Sequence, residues 1–271
     1  MNTLNTKRKD RWEETCQVRF GSIDRSDRLT LASVFNFFQE AATSHAENLG
    51  VGRDALAQTK QGWILSRMSV EINERPLYND YILLRTWPRG VEKLFAIRDY
   101  EIRSLGADIN NPASHDKPVI LARSCWLIID TEKRRPLRPQ AIAEALPHNE
   151  GQDALPSGGI GLSEQPNLNK VTELKASYSD LDFYGHVNNV SYIRWIQDAL
   201  EPGLLEKASR MRMDINYLNE ILPGEMVEIW SSQMRQENTD DNSSKIGIYA
   251  FEGRKTGSST AFRAELRLWN D

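Results

Sequence analysis

The sequence predicts an α+β protein built of two similar units in one chain, each with a buried helix near its start and antiparallel strands behind it. Three observations carry this expectation. First, the 271-residue chain repeats itself. Phe20 to Ala41 (FGSIDRSDRLTLASVFNFFQEA) lies without gaps over Tyr178 to Ala199 (YSDLDFYGHVNNVSYIRWIQDA), pairing Asp24 with Asp182, Ser33 with Ser191 and Gln39 with Gln197. Second, each copy carries one apolar stripe at helical spacing. Third, the segments behind each stripe read as strands, and a stretch rich in Pro and Gly separates the two sets.

The first helix starts after Thr30, a suitable N-cap, and Leu31, Val34, Phe35, Phe38, Ala42, Ala46 and Leu49 recur at three- and four-residue steps before Gly50 ends it. Two phenylalanines and few charges on that stripe predict a helix buried in sheet. Strand-like runs follow at Tyr81–Trp87, Phe95–Ile102 and Val119–Ile129. The second helix repeats the pattern with Val190, Ile193, Ile196 and Leu200, capped by Asn188 or Asn189. Its strands are Met226–Ser232, Lys245–Phe251 and Ala261–Trp269, the last alternating Phe262, Ala264, Leu266 and Leu268 with charged residues. Met68–Trp87 and Met213–Trp230 also correspond, each placing a Pro and an acidic residue (Asp80 or Glu225) before an apolar run that ends in Trp. Five of the 11 prolines lie between Pro136 and Pro166. The expected division is therefore 10–140, a linker at 141–168, and 169–271.

Composition narrows the function classes. Hydrophobic residues at 39% and charged residues at 27% are those of a globular protein, and no apolar stretch is long enough for a membrane span. The polar, basic start of the chain has no signal-peptide core, so the expected compartment is cytoplasmic. With 34 basic against 38 acidic residues, the basic excess of a nucleic-acid binder is missing. Cys16 and Cys125 are too few for a disulfide framework and read as small packing residues. No glycine-rich phosphate loop and no metal-ligand spacing is found, so neither cofactor nor metal is expected. His45, His115 and His148 read as structural or solvated.

His186 differs because of its neighbours: Asp182, Phe183, Tyr184, Gly185, His186, Val187, Asn188 and Asn189 run into the start of the second helix. An Asp and a His four apart on a Gly-containing turn can share one cleft, and the helix N-terminus favours negative charge. A carbonyl placed there would find oxyanion stabilisation in position. A capped turn with an Asx-type bond explains the same residues without chemistry.

The segment DLDFYGHVNNVSYIRWIQDAL resembles the signature of acyl-acyl-carrier-protein (acyl-ACP) thioesterases, a plant and bacterial family of two fused hot-dog domains. TWPRG, IRDYEI, ARSCWLIID and RRPLR resemble its N-terminal domain at matching spacings, so the similarity spans Trp12 to Trp269. The DxxGHVNN core is shared more widely with coenzyme A thioesterases. The resemblance implies Asp182 and His186 as catalytic residues and Glu220, 34 positions after His186 and expected on the next strand, as the catalytic carboxylate. Plant members place an Asn where this chain has Tyr184, and often a Cys where it has Ile221, which favours attack by water. Tyr184 and Asn188 are candidate auxiliaries. In the first copy Arg28 stands at the His position and Arg75 at the Glu position. Arginine stays protonated at neutral pH and cannot serve as base, so the first half is expected to have lost the chemistry and to house the acyl chain.

The expected reaction is thioester hydrolysis, with Glu220 as general base, Asp182 being the alternative for that role, and His186 and helix N–H groups polarising the carbonyl. Asp182 is expected to fix the imidazole or hold the water, and Ile221 and Leu222 to surround Glu220 with apolar groups. The expected partner is acyl carrier protein, which is acidic, docking on Lys133, Arg134, Arg135 and Arg138, the densest basic cluster. Other classes that fit are an acyl-CoA thioesterase, a hot-dog hydroxyacyl dehydratase and a non-catalytic acyl sensor. Oligomeric state is left open, a homodimer being one of the options.

Overall fold

The computed structural model describes residues 8–110, 117–238, 245–257 and 259–270; His115 lies outside them. The first half runs β1 (Trp12–Gln17), α1 (Leu31–Asn48), α2 (Arg53–Gln58), β2 (Gln61–Ile72), β3 (Tyr81–Glu92), β4 (Phe95–Gly106) and β5 (Ile120–Asp130). A short β6 (Arg135–Pro136) and α3 (Gln140–Ala143) follow. The second half runs β7 (Asn169–Lys175), α4 (Asn189–Asp198), α5 (Pro202–Lys207), β8 (Arg210–Tyr217), β9 (Met226–Asn238), β10 (Lys245–Lys255) and β11 (Thr260–Asn270). Among the described residues, no helix is long and apolar enough to cross a membrane.

The strands form one antiparallel sheet in the order β1-β3-β4-β5-β2-β8-β11-β10-β9-β7, with β6 beside β5. The order reads as the same five-strand pattern from either edge, as a pseudo-twofold axis between β2 and β8 requires. Ser69 of β2 lies opposite Asp214 of β8, and the alignment of Met68 with Met213 makes these two residues equivalents. Five of the six expected runs fall within strands, and the sixth, Val119–Ile129, does so from Ile120 onward. β1, β2, β7 and β8 are added by the structure.

Both helices pack on one face of the sheet, in a single apolar core that runs through both halves. Thr30 caps α1, its Oγ1 accepting the Ser33 N–H at 3.1 Å. Phe38 of α1 is fully buried, its ring 4.8 Å from that of Tyr100 on β4. The second helix departs from expectation: α4 has 10 residues against 18 in α1, and Leu200 lies beyond its end. Pro202, which lacks an N–H and opens α5, follows within four residues of that end.

The segment between the halves is no loose spacer. Successive strand residues point to opposite faces: Arg98 reaches α1, whereas Asp99 accepts the Ala154 N–H at 2.8 Å. Residues 153–162 thus form a strap across the face away from the helices. The strap bonds both halves, Gly159 N–H donating to Ser69 Oγ at 2.8 Å and Leu162 N–H to Asn216 Oδ1 at 2.7 Å. Gly159 has φ of +76°, and a Cβ there would stand 2.6 Å from Cys125 Sγ, so both conformation and space require glycine. Burial beneath the strap pushes the Cys125 thiol up to about 11, which fits a packing role.

His45 is fully buried on α1, with Nε2 2.9 Å from the Lys9 carbonyl and Nδ1 3.0 Å from Arg98 Nη1. Burial, aided by the Arg98 charge, lowers its pKa to about 4. An unfolded histidine takes up its proton near pH 6.5, so between those values the unfolded chain binds more protons and is favoured. Stability is expected to be complete above pH 6.5 and to fall by roughly 3 kcal/mol towards pH 4 on this account. Urea titrations at pH 7 and pH 4.5 test it: His45→Gln should show the smaller loss, and an equal loss in both proteins would assign the acid sensitivity elsewhere.

Candidate active site

The turn Asp182–His186 is built by its own main chain. Asp182 N–H donates to the His186 carbonyl at 2.8 Å, and Gly185 N–H, from φ of +76°, to the Asp182 carbonyl at 3.1 Å. The first half repeats it: Asp24 N–H donates to Arg28 O at 2.9 Å and Asp27, at φ of +64°, to Asp24 O at 3.1 Å. Each turn is then tied to the segment after the central strand, through Val187 N–H to Ile221 O at 3.0 Å and Leu29 N–H to Pro76 O at 2.9 Å.

That tie brings His186 to Glu220. His186 Nε2 lies 3.4 Å from Glu220 Oε2, longer than a formed hydrogen bond but within reach of one. Both side chains are partly exposed. Glu220 stands in the turn after β8 rather than on a strand. Its expected apolar surround is not formed either. Ile221 points into the core, Leu222 is exposed, and Glu220 Oε1 instead accepts a bond from Arg134 Nη2. Lys255 Nζ approaches the Glu220 carbonyl at 3.4 Å and pairs with Glu225 at 2.7 Å.

Asp182 belongs to the same turn, and one of its carboxylate oxygens bonds the main chain. Its Oδ1 accepts the main-chain N–H groups of Tyr184 at 2.8 Å and of His186 at 3.1 Å, so it shapes the turn that presents the imidazole. Asp24 does the same for Ser26 at 2.8 Å, where no histidine follows. Asn188 is the helix cap, its Oδ1 accepting Val190 N–H at 2.8 Å. The amides expected to polarise a carbonyl are largely committed. Val187 donates to Ile221, Asn188 to Asp180 at 2.8 Å, and Ser191 to Asn188 O at 2.9 Å. Tyr184 is exposed at the tip, its hydroxyl pushed up by partial burial and held in check by Arg53. Arg53, from α2 of the first half, lies 4.3 Å over the Phe183 ring.

The equivalent position in the first half is closed by charge. Arg75, 3% exposed, pairs with Asp24 at 2.5 Å and donates to the Glu206 carbonyl at 3.3 Å. Burial raises the Asp24 pKa, but bonds from Ser26 and Arg75 outweigh it and hold the carboxyl below its usual range. Of the four basic residues expected to dock a partner, Arg134 is engaged with Glu220, whereas Lys133, Arg135 and Arg138 are exposed. No sequence signal singled out Arg134 as a neighbour of Glu220, since the two are 86 positions apart.

Comparison with known proteins bears on this site. The sequence model of the acyl-ACP thioesterase N-terminal domain matches residues 9–144, and that of the C-terminal domain residues 163–261. Oleoyl-acyl carrier protein thioesterase 1 of Arabidopsis thaliana is 23% identical over 237 residues, covering 80% of this chain and 62% of the relative. Palmitoyl-acyl carrier protein thioesterase of the same plant is 25% identical over 226 residues, covering 77% and 52%. Both are named chloroplastic, unlike the cytoplasmic compartment suggested by the sequence. The chain thus spans about half to three fifths of these relatives' length. Among solved structures, an acyl-ACP thioesterase from Bacteroides thetaiotaomicron aligns at 23% identity over 96% of this chain and 98% of that one, with a TM-score of 0.76. The 12:0-ACP thioesterase from Umbellularia californica aligns at 18% identity over 97% and 98%, also with a TM-score of 0.76. The fold is the one shared by these structures, and with both domain models matched in order, this chain belongs to the acyl-ACP thioesterase family.

Proposed function

We propose that the chain hydrolyses the thioester of a fatty acyl group carried on acyl carrier protein, releasing the fatty acid and the carrier thiol. The observation that carries this reading is the approach of His186 Nε2 to Glu220 Oε2, 3.4 Å apart, in a chain of this family. Glu220 takes a proton from water as its oxygen attacks the carbonyl carbon. His186 donates to the carbonyl oxygen, where negative charge develops. The intermediate collapses, the carbon–sulfur bond breaks, and the proton held by Glu220 goes to the departing sulfur. Asp182 holds the turn that aims the imidazole. The second half carries the chemistry and the first, with Arg75 locked on Asp24, houses the acyl chain.

We place carrier docking on Lys133, Arg135 and Arg138, exposed near the seam and opposite in sign to an acidic carrier. Purified protein assayed against matched acyl-ACP and acyl-CoA panels tests both points. Acyl-ACP should be hydrolysed with the higher kcat/KM. Arg135→Glu with Arg138→Glu should raise KM for acyl-ACP and spare acyl-CoA. Equal effects on both substrates would move the docking face elsewhere, and no hydrolysis of any thioester would overturn the reaction itself.

A further inference from the structure

The halves do not divide the labour as cleanly as their sequences suggest, because a first-half side chain reaches the second half's carboxylate. We infer that Arg134 is a positioning residue for Glu220, so that the single active site is assembled from both halves. This rests on Glu220 being the base.

Arg134 sits on the turn joining β5 to β6, at φ of +51°, a left-handed conformation that non-glycine residues seldom take. The turn is held from beneath by Asp130, whose Oδ1 accepts the N–H groups of Glu132 at 3.0 Å and Lys133 at 2.9 Å. The neighbouring cation is diverted, with Lys133 Nζ 3.8 Å from Asp130 Oδ2. Arg134 is left to extend across the seam, and its Nη2 donates to Glu220 Oε1. One carboxylate oxygen is thereby fixed, and the other is the one that faces His186.

The remaining charge near Glu220 does not serve this end. Lys255 touches the main-chain oxygen of Glu220 and is neutralised by Glu225, and Asp182 is spent on its own turn. A guanidinium suits the task because it orients a carboxylate without exchanging protons with it at neutral pH. Freed of it, the Glu220 carboxylate can rotate away from the attacking water.

Arg134→Gln, Arg134→Lys, Glu220→Gln and the double variant, assayed on acyl-ACP across pH, test the inference. Arg134 is exposed, so its variants should melt like the parent. Arg134→Gln should lower kcat about 10–10²-fold, as misplacement of a reacting group does, with little change in KM. Arg134→Lys should restore part of the rate. In the Glu220→Gln background the same change should cost nothing further in kcat. A rise in KM with kcat unchanged, present in both backgrounds, would make Arg134 a docking residue and overturn the inference while leaving the reaction intact. Full activity in Glu220→Gln alone would remove the base, and the inference with it.

Discussion

His186→Ala is expected to lower kcat/KM for acyl-ACP by about 10²–10³-fold, the usual cost of losing one donor to a developing oxyanion. The loss should fall on kcat, because the donor matters most when charge builds on the carbonyl oxygen. With the amides of Val187, Asn188, Val190 and Ser191 already bonded, the surrounding main chain offers few substitutes. Glu220→Gln removes the base and should cost about 10²–10⁴-fold. Both side chains are partly exposed, so neither change should disturb folding. Stopped-time assays of released thiol give these values directly. A His186→Ala variant within a few-fold of the parent would show that the oxygen is stabilised by another group.

Asp24→Ala, in the first half, is expected to do the opposite: to cost stability and spare the rate. Arg75 is 3% exposed and answers to Asp24 at 2.5 Å. Removing the carboxylate leaves a buried guanidinium without its counter-ion and a turn without the acceptor for Ser26 N–H. Breaking such a pair from one side destabilises by about 3–5 kcal/mol, towards the lower end here because Asp24 keeps some exposure. Denaturant unfolding measures the loss, and kcat/KM per folded molecule should match the parent. A large fall in rate without a fall in stability would give the first copy of the turn a part in the chemistry.

The pattern of these two predictions was partly written in the sequence. The offset that equates Asp24 with Asp182 also equates Asp27 with Gly185, and both take the left-handed conformation that closes the turn. Thr30 and Asn188 cap their helices as the stripe pattern implies. The strands with one dry face were legible by alternation. β2 was not among the runs read as strands, although Met68, Val70 and Ile72 alternate with Arg67, Ser69 and Glu71; its polar set lies under the strap instead of in water. In β8 Met211, Met213 and Ile215 alternate with Arg212, Asp214 and Asn216, and the strap covers that polar set. The strap was itself hidden, since Pro and Gly mark irregular backbone whether it is free or pinned. At the site, residue types gave His186 and the family resemblance gave Glu220, but neither gave their partners. That Asp182 spends its carboxylate on two backbone amides, and that Arg134 crosses from the other half, are facts of three-dimensional placement.

Proton transfer by Glu220 is exposed most plainly in the pH dependence of kcat/KM for wild type and Glu220→Gln on one acyl-ACP. The wild-type rate should fall on the acidic side as the carboxylate is protonated. The amide variant should be slow throughout and should lack that limb, having no proton to gain. A variant that keeps both the parental rate and the parental acidic limb would contradict the mechanism and leave His186 without the base that it faces.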